Sequence, residues 1–172
     1  MGGVLSGDQL RRLVGGDEPL LDDWLDLDTQ VQPNGFDLTL ASVSRFTTAG
    51  TLGPDNSDRV LPDIEAMPFA DDGFVMLSPG PYLIVFNEAV RLPTDVMALG
   101  RPRSSLGRAG VAIHSAVWDA GYHGRSSSLL VITNPAGFRV ARNARLLQLV
   151  FMRLDEPAQR GYAGVYQGER LS

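Results

Sequence analysis

FDLTLASVSRF, from Phe36 to Phe46, alternates apolar and polar side chains over several positions. A period of two sends successive side chains to opposite faces of an extended chain, so the stretch reads as a half-buried β-strand. Working outward, Gly73 to Leu77, Tyr82 to Phe86 and Ala89 to Leu92 read as further short strands, punctuated by Pro, Gly or Asn. SLLVITN (Ser128 to Asn134) and RLLQLVFMRL (Arg145 to Leu154) are nearly continuous apolar runs, suited to strands buried on both faces. Short strands recurring about every ten residues point to a sandwich or closed barrel. Gly50 to Asp72, polar and carrying Pro54, Pro62 and Pro68, reads as a long surface excursion.

A single helical signal stands apart from this pattern. Ser6 caps it, Gln9 closes a capping box, Leu10, Leu13 and Val14 form its apolar stripe, and Gly15-Gly16 ends it. MGGVLS also fits a loose myristoylation pattern, but the cap accounts for the same residues.

The 172 residues suit one domain, residues 1–172, with an apolar content of 44% that can supply a real core. A formal net charge of −5 argues against a general nucleic-acid binder. No apolar stretch approaches the roughly 18 residues of a membrane helix, and the N-terminus lacks a signal-peptide pattern. The expectation is a cytoplasmic protein with neither nucleic acid nor membrane as partner. There is no cysteine, which excludes disulfides and thiolate chemistry. All 15 cationic residues are arginine, so an anion site here relies on guanidinium forks, hydroxyls and backbone N–H groups.

One segment concentrates this chemistry. RPRSSLGRAGVAIHSAVWDAGYHG, Arg101 to Gly124, holds Asp119, the only acidic residue between Val96 and Leu154. Around it stand Arg101, Arg103, Arg108 and Arg125, the serines Ser104 and Ser105, Trp118 and Tyr122, and the chain's two histidines, His114 and His123. A basic, hydroxyl-rich island around one carboxylate suits a pocket that holds a small polyanion while a base acts on water. The last stretch, Pro157 to Ser172, has little to pack into a core; it reads as a frayed terminus or as a mobile C-terminal flap over 157–172.

These residues resemble the dUTPase and dCTP deaminase superfamily, most closely its archaeal-type dUTPase branch. LSGDQLRRLV is similar to the N-terminal helix of the deaminase side, QPNGFDLTL to the first motif and PRSSLGRAG to the phosphate-binding motif. AVWDAGYHG is similar to the motif of the catalytic aspartate, ARLLQLVF to the fourth motif and GVYQGE to the C-terminal segment. The resemblance implies an all-β, distorted jelly-roll-like β-barrel with a short N-terminal helix, assembled as a homotrimer with active sites at subunit interfaces. It implies Asp119 as catalytic base, Tyr122 packed against the deoxyribose, and substrate contacts from Arg103, Ser104, Ser105, Arg108, Gln148, Tyr166 and Gln167. His114 stands where this branch tends to carry an asparagine that reads the base. Magnesium (Mg2+) on the triphosphate is the implied cofactor, with Asp37 holding it through water.

The two activities of this superfamily need different groups. Deamination at cytosine C4 without zinc needs a carboxyl group beside the base, which the deaminases place three residues before an asparagine on the strand after the catalytic motif. Counting back from Asn134 reaches Val131, and no glutamate lies between Glu88 and Glu156. Hydrolysis of dUTP to dUMP and pyrophosphate needs one carboxylate to activate water and cations to stabilise phosphate charge. The expectation is therefore a dUTP diphosphatase acting on a deoxyuridine nucleotide. A dCTP deaminase, a bifunctional enzyme and a catalytically silent nucleotide-binding regulator are the alternatives.

Overall fold

The computed structural model of the protein describes residues 2–171. In chain order the elements are β1 (Gly3–Val4), α1 (Gly7–Val14), β2 (Leu21–Asp22), α2 (Leu27–Gln30), β3 (Val31–Gln32) and β4 (Gly35–Phe46). After a long excursion come β5 (Ile64–Ala66), β6 (Phe74–Leu77), β7 (Gly80–Phe86), β8 (Ala89–Arg91) and β9 (Val96–Pro102). Then follow α3 (Ser104–Arg108), β10 (Val111–His114), β11 (Val117–Trp118), β12 (His123–Gly124), β13 (Ser127–Ile132), β14 (Phe138–Ala141) and β15 (Arg145–Arg153).

The main sheet runs β10-β13-β7-β4-β15-β9-β11, with β1, β3 and β5 attached at its margins. Two smaller sheets, β12-β8-β2 and β14-β6, complete an all-β fold of antiparallel pairs. The long β4 changes partner halfway: Phe36 to Thr39 pair with β15, and Leu40 to Arg45 with β7. Each pairing has a register shift, between Arg145 and Leu147 and between Leu40 and Ser42. Such irregularities bend a strand and increase its twist, which curls the sheet into a half-barrel. Phe36, Leu38, Leu40, Ile84, Phe86, Leu130, Leu147, Leu149 and Phe151 belong to its buried hydrophobic core.

The N-terminal helix forms where its caps place it: Gln9 N–H donates to Ser6 Oγ, and Ser6 N–H to Gln9 Oε1. Three local features differ from the sequence expectation. Two further short helices, α2 and α3, occupy stretches too brief to show helical periodicity. The first half of β4 is buried on both faces, because its polar residues Asp37 and Thr39 are covered as fully as its apolar ones. The apolar run of β13 alternates buried and half-buried residues, so one of its faces stays partly open. Among the described residues no helix is long and apolar enough to cross a membrane.

Candidate active site

Two groups of polar residues form on different parts of this frame. The first gathers at the junction of β4, β9 and β15. Asp37 is 1% exposed, and its Oδ2 lies 3.1 Å from Arg103 Nε and 3.5 Å from an Arg145 Nη1. Burial pushes the Asp37 carboxyl above its usual range, and the charges of Arg103 and then Arg145 oppose that rise. Two guanidiniums on one carboxylate leave positive charge in excess at this edge. Backbone contacts fix the arginines: Arg103 N–H donates to Leu146 O at 2.9 Å, and Arg103 Nη1 to Arg145 O at 3.4 Å.

The chain then enters α3, whose first residues are the exposed Ser104 and Ser105. They open a short helix rather than a plain turn, with Leu106 buried beneath them as the anchor. Arg108, also exposed, turns back to donate to Ser104 O at 3.2 Å. Gln148 is half-buried in β15, between Asp37 of β4 and Arg101 of β9 in register. Sequence reasoning missed Arg145; its place at the head of ARLLQLVF was the available signal.

Behind Asp37 lies a second buried carboxylate. Glu88 accepts from Thr39 N–H (2.9 Å), Thr39 Oγ1 (2.6 Å) and Gln30 Nε2 (2.7 Å). Gln30, on α2, also donates to Asp37 O, while its Oε1 accepts from the N–H groups of Leu25 and Asp26. Burial raises the Glu88 carboxyl despite these donors. This network fills the polar face of β4 and fixes the strand that carries Asp37.

The second group surrounds a cavity of about 310 Å³ lined by Ala116, Val117, Trp118, Asp119, Tyr122, Ser126, Ser127, Tyr162, Tyr166 and Glu169. Asp119 follows β11, is exposed, and has no ion-pair partner among the described residues. A turn after it, with Tyr122 N–H donating to Asp119 O (3.0 Å) and Gly121 at φ +85°, brings Tyr122 to the same cavity. That left-handed φ is one an L side chain rarely adopts.

Tyr122 is buried, meets the ring of Tyr162 edge-on at 5.6 Å, and donates its hydroxyl to Glu169 Oε1 at 2.9 Å. Burial and then the neighbouring Glu169 charge push the Tyr122 hydroxyl well above its usual range, so it remains a neutral donor. The C-terminal stretch closes the other side. Gly168 N–H donates to His123 O, Gln167 Nε2 to Gly121 O, and His123 N–H to Gln167 Oε1. Tyr166 lines the cavity, whereas Gln167 holds the turn behind it.

Asp119, Tyr122 and Tyr166 are thus brought together, and Arg103, Ser104, Ser105, Arg108, Gln148 and Asp37 are not among the residues lining their cavity. His114 is exposed at the end of β10 and lines it no more than they do. Glu169, the last residue of GVYQGE, was not singled out in the sequence, because 47 positions separate it from Tyr122.

A family model described as dCTP deaminase-like matches residues 4–154, and the chain belongs to that family. Among its relatives, a Methanosarcina mazei protein named probable deoxyuridine 5'-triphosphate nucleotidohydrolase is 46% identical over 169 residues, covering 98% of this chain and 99% of its own. An Archaeoglobus fulgidus protein of the same name is 51% identical over 168 residues, covering 98% of each chain. Of solved structures, the 2'-deoxycytidine 5'-triphosphate deaminase from Agrobacterium tumefaciens superposes with a TM-score of 0.67 at 27% identity. That match covers 88% of this chain and 48% of the deaminase, so the chain spans about half of that protein's length.

Proposed function

We propose that this chain is a dUTP diphosphatase that hydrolyses dUTP to dUMP and pyrophosphate in the cytoplasm. The observation that carries the reading is Asp119, an exposed carboxylate without an ion-pair partner, on the rim of a cavity that Tyr122 also lines. Water attacks the α-phosphorus in line, Asp119 orients it and takes its proton, and pyrophosphate leaves. Tyr122 offers a flat ring to the deoxyribose and leaves no room for a 2′-hydroxyl. Relatives at 46% and 51% identity whose names state the same hydrolysis support this reading.

The triphosphate on this reading is bound by Arg103, Ser104, Ser105, Arg108 and Gln148, with Arg145 beside them. Since these residues do not line the Asp119 cavity of their own chain, the complete site forms between copies, in a homotrimer with three interfacial sites. Asp37 Oδ2 is fully buried and faced by the Arg103 and Arg145 guanidiniums, so it fits the role of holding those arginines and does not fit that of holding a water on a magnesium ion. Magnesium carried by the phosphates would offset the charge of the triphosphate.

Within the site, a deaminase reading has one observation in its favour: Glu169 sets a carboxylate in the cavity wall. That carboxylate is already engaged by the Tyr122 hydroxyl and by Arg170, and the β13 position of the deaminases' glutamate is Val131. Incubating the protein with dUTP and with dCTP, and assaying pyrophosphate and ammonia, tests the proposal. Pyrophosphate from dUTP without ammonia from dCTP is expected. Ammonia from dCTP would overturn it, and binding of dUTP without turnover would leave a silent regulator.

A further inference from the structure

Arg125 is one of the four arginines that the sequence gathers about Asp119, yet it does not line the Asp119 cavity. Its donors are spent elsewhere. The backbone N–H donates to Glu169 O at 2.9 Å and Nε to Arg170 O at 3.2 Å, while Nη2 meets Asp23 Oδ2 at 2.7 Å. Half-buried, Arg125 thus ties the C-terminal stretch to Asp23, which lies 102 positions before it in the chain. Both ends of that tie are anchored. Asp23 follows β2 and Arg125 follows β12, and Leu21 and Gly124 of those strands both stand opposite Val90 of the central β8. Leu21 and Val90 are fully buried, so this small sheet fixes the strand ends from which Asp23 and Arg125 extend.

Backbone strain marks the same contact. Among the described residues only Asp23 (φ +58°), Asn143 (φ +65°) and Arg170 (φ +52°) are non-glycine residues in the left-handed region. Two of these three are the partners of the Arg125 side chain. Side chains avoid that region because Cβ crowds the carbonyl oxygen, and such residues persist only where surrounding contacts hold them. What Arg125 holds is a wall of the cavity. Glu169 is gripped twice: its carbonyl accepts from Arg125 N–H and its carboxylate from the Tyr122 hydroxyl. The rest of the hold is light, since from 163 to 171 every residue but Glu169 is exposed. A segment with so few buried contacts opens far more readily than the core.

We propose that Arg125 is a positioning residue: with Asp23 as its post, it latches the C-terminal stretch over the Asp119 cavity and sets how often that wall opens. A latch made of an exposed ion pair and one carbonyl contact is weak enough to release, and salt screens it. The link from closure to turnover rests on the proposed dUTP hydrolysis; the latch itself does not.

The test is hydrogen exchange at the Gly168 amide, which donates to His123 O at 2.7 Å while the stretch is closed. It is read in wild type, Asp23→Asn, Arg125→Ala and the double variant. Asparagine tolerates the left-handed backbone at position 23 and removes only the charge. Exchange should quicken about 2-fold in Asp23→Asn and about 5-fold or more in Arg125→Ala, with urea midpoints unchanged. Adding Asp23→Asn to Arg125→Ala should do nothing further, since the pair is already broken. Rising sodium chloride should quicken exchange in wild type and much less in Asp23→Asn. On the proposed hydrolysis, Arg125→Ala should also slow dUTP turnover, with kcat falling more than KM rises. Wild-type exchange in Arg125→Ala would overturn the proposal, as would fully additive effects in the double variant. A urea midpoint that falls in step with the faster exchange would make Arg125 an ordinary fold contact and overturn it too. Should Arg125→Ala fail to fold, Asp23→Asn and the salt series decide, and salt-independent exchange in wild type overturns the latch. If wild type never releases pyrophosphate from dUTP, the parent reading fails separately, while exchange still decides the latch.

Discussion

The arginine cluster and the Asp119 cavity are built in opposite ways. Around Asp37, three neighbouring strands and a buried carboxylate fix two guanidiniums before any ligand arrives. Around Asp119, part of the wall is Tyr162, Tyr166 and Glu169, from a C-terminal stretch that is largely exposed and lies on the 120–125 segment through hydrogen bonds and one ring contact. A group locked in a sheet meets charge without further ordering, while a wall made of exposed chain can open and close. On the proposed function, binding falls to the first region and the reaction step to the second.

That assignment breaks first at Asp119. Asp119→Asn keeps the shape but cannot take a proton, so kcat should fall by about 1,000-fold with dUTP binding largely intact. Single-turnover kinetics beside calorimetry checks this, and equal loss of binding would make Asp119 structural. Removing residues 163–172 spares Tyr162 and should cut kcat by about 100-fold without loss of the fold or the oligomer. Circular dichroism, gel filtration and a pyrophosphate assay read those three quantities.

Arg103→Ala should act on the other region, raising KM by about 10-fold or more with a smaller change in kcat, as loss of a phosphate contact would. An effect confined to kcat would move Arg103 into the reaction step. Tyr122→Ala should weaken dUTP binding several-fold, by about 1 kcal/mol, and relax rejection of UTP. Unchanged selectivity against UTP in competition assays would assign sugar reading elsewhere.

The smallest expected effect on turnover lies at Glu88, which supports the sheet behind Asp37. Glu88→Gln replaces an acceptor by a donor facing donors and should cost about 1–3 kcal/mol of stability. Because burial raises its carboxyl, folded protein keeps this proton after the unfolded chain has released it. Stability from this group is therefore full below the ordinary carboxylate range and lost as pH rises through the raised value. The gap between wild type and Glu88→Gln should narrow over that window in urea titrations at successive pH values.

Much of this architecture was legible along the chain. The N-terminal helix followed from Ser6 and Gln9, and the strands from period-two patterns and their Pro and Gly punctuation. Local geometry and nearest neighbours suffice for such features. Asp119 and Tyr122 were legible as well, since a tight turn three residues long brings them to one cavity. Arg145 and Glu88 were not. A carboxylate's burial and an arginine's partner depend on which strands lie side by side, and Arg145 is 108 positions from Asp37. The same holds for Glu169, whose contact with Tyr122 spans 47 positions.

The sequence by itself determined the kind of elements, the acidic balance with arginine as sole cation, and the absence of a glutamate at the deaminases' position on β13. Each of these is a property of composition or of residues within a few positions. Only the tertiary structure decided that Asp37 faces two arginines, that β4 is buried on both faces, and that the phosphate-type residues stand apart from the cavity of Asp119. Strand order and bulges set those outcomes, because they fix which distant side chains share a face and which are shielded from water.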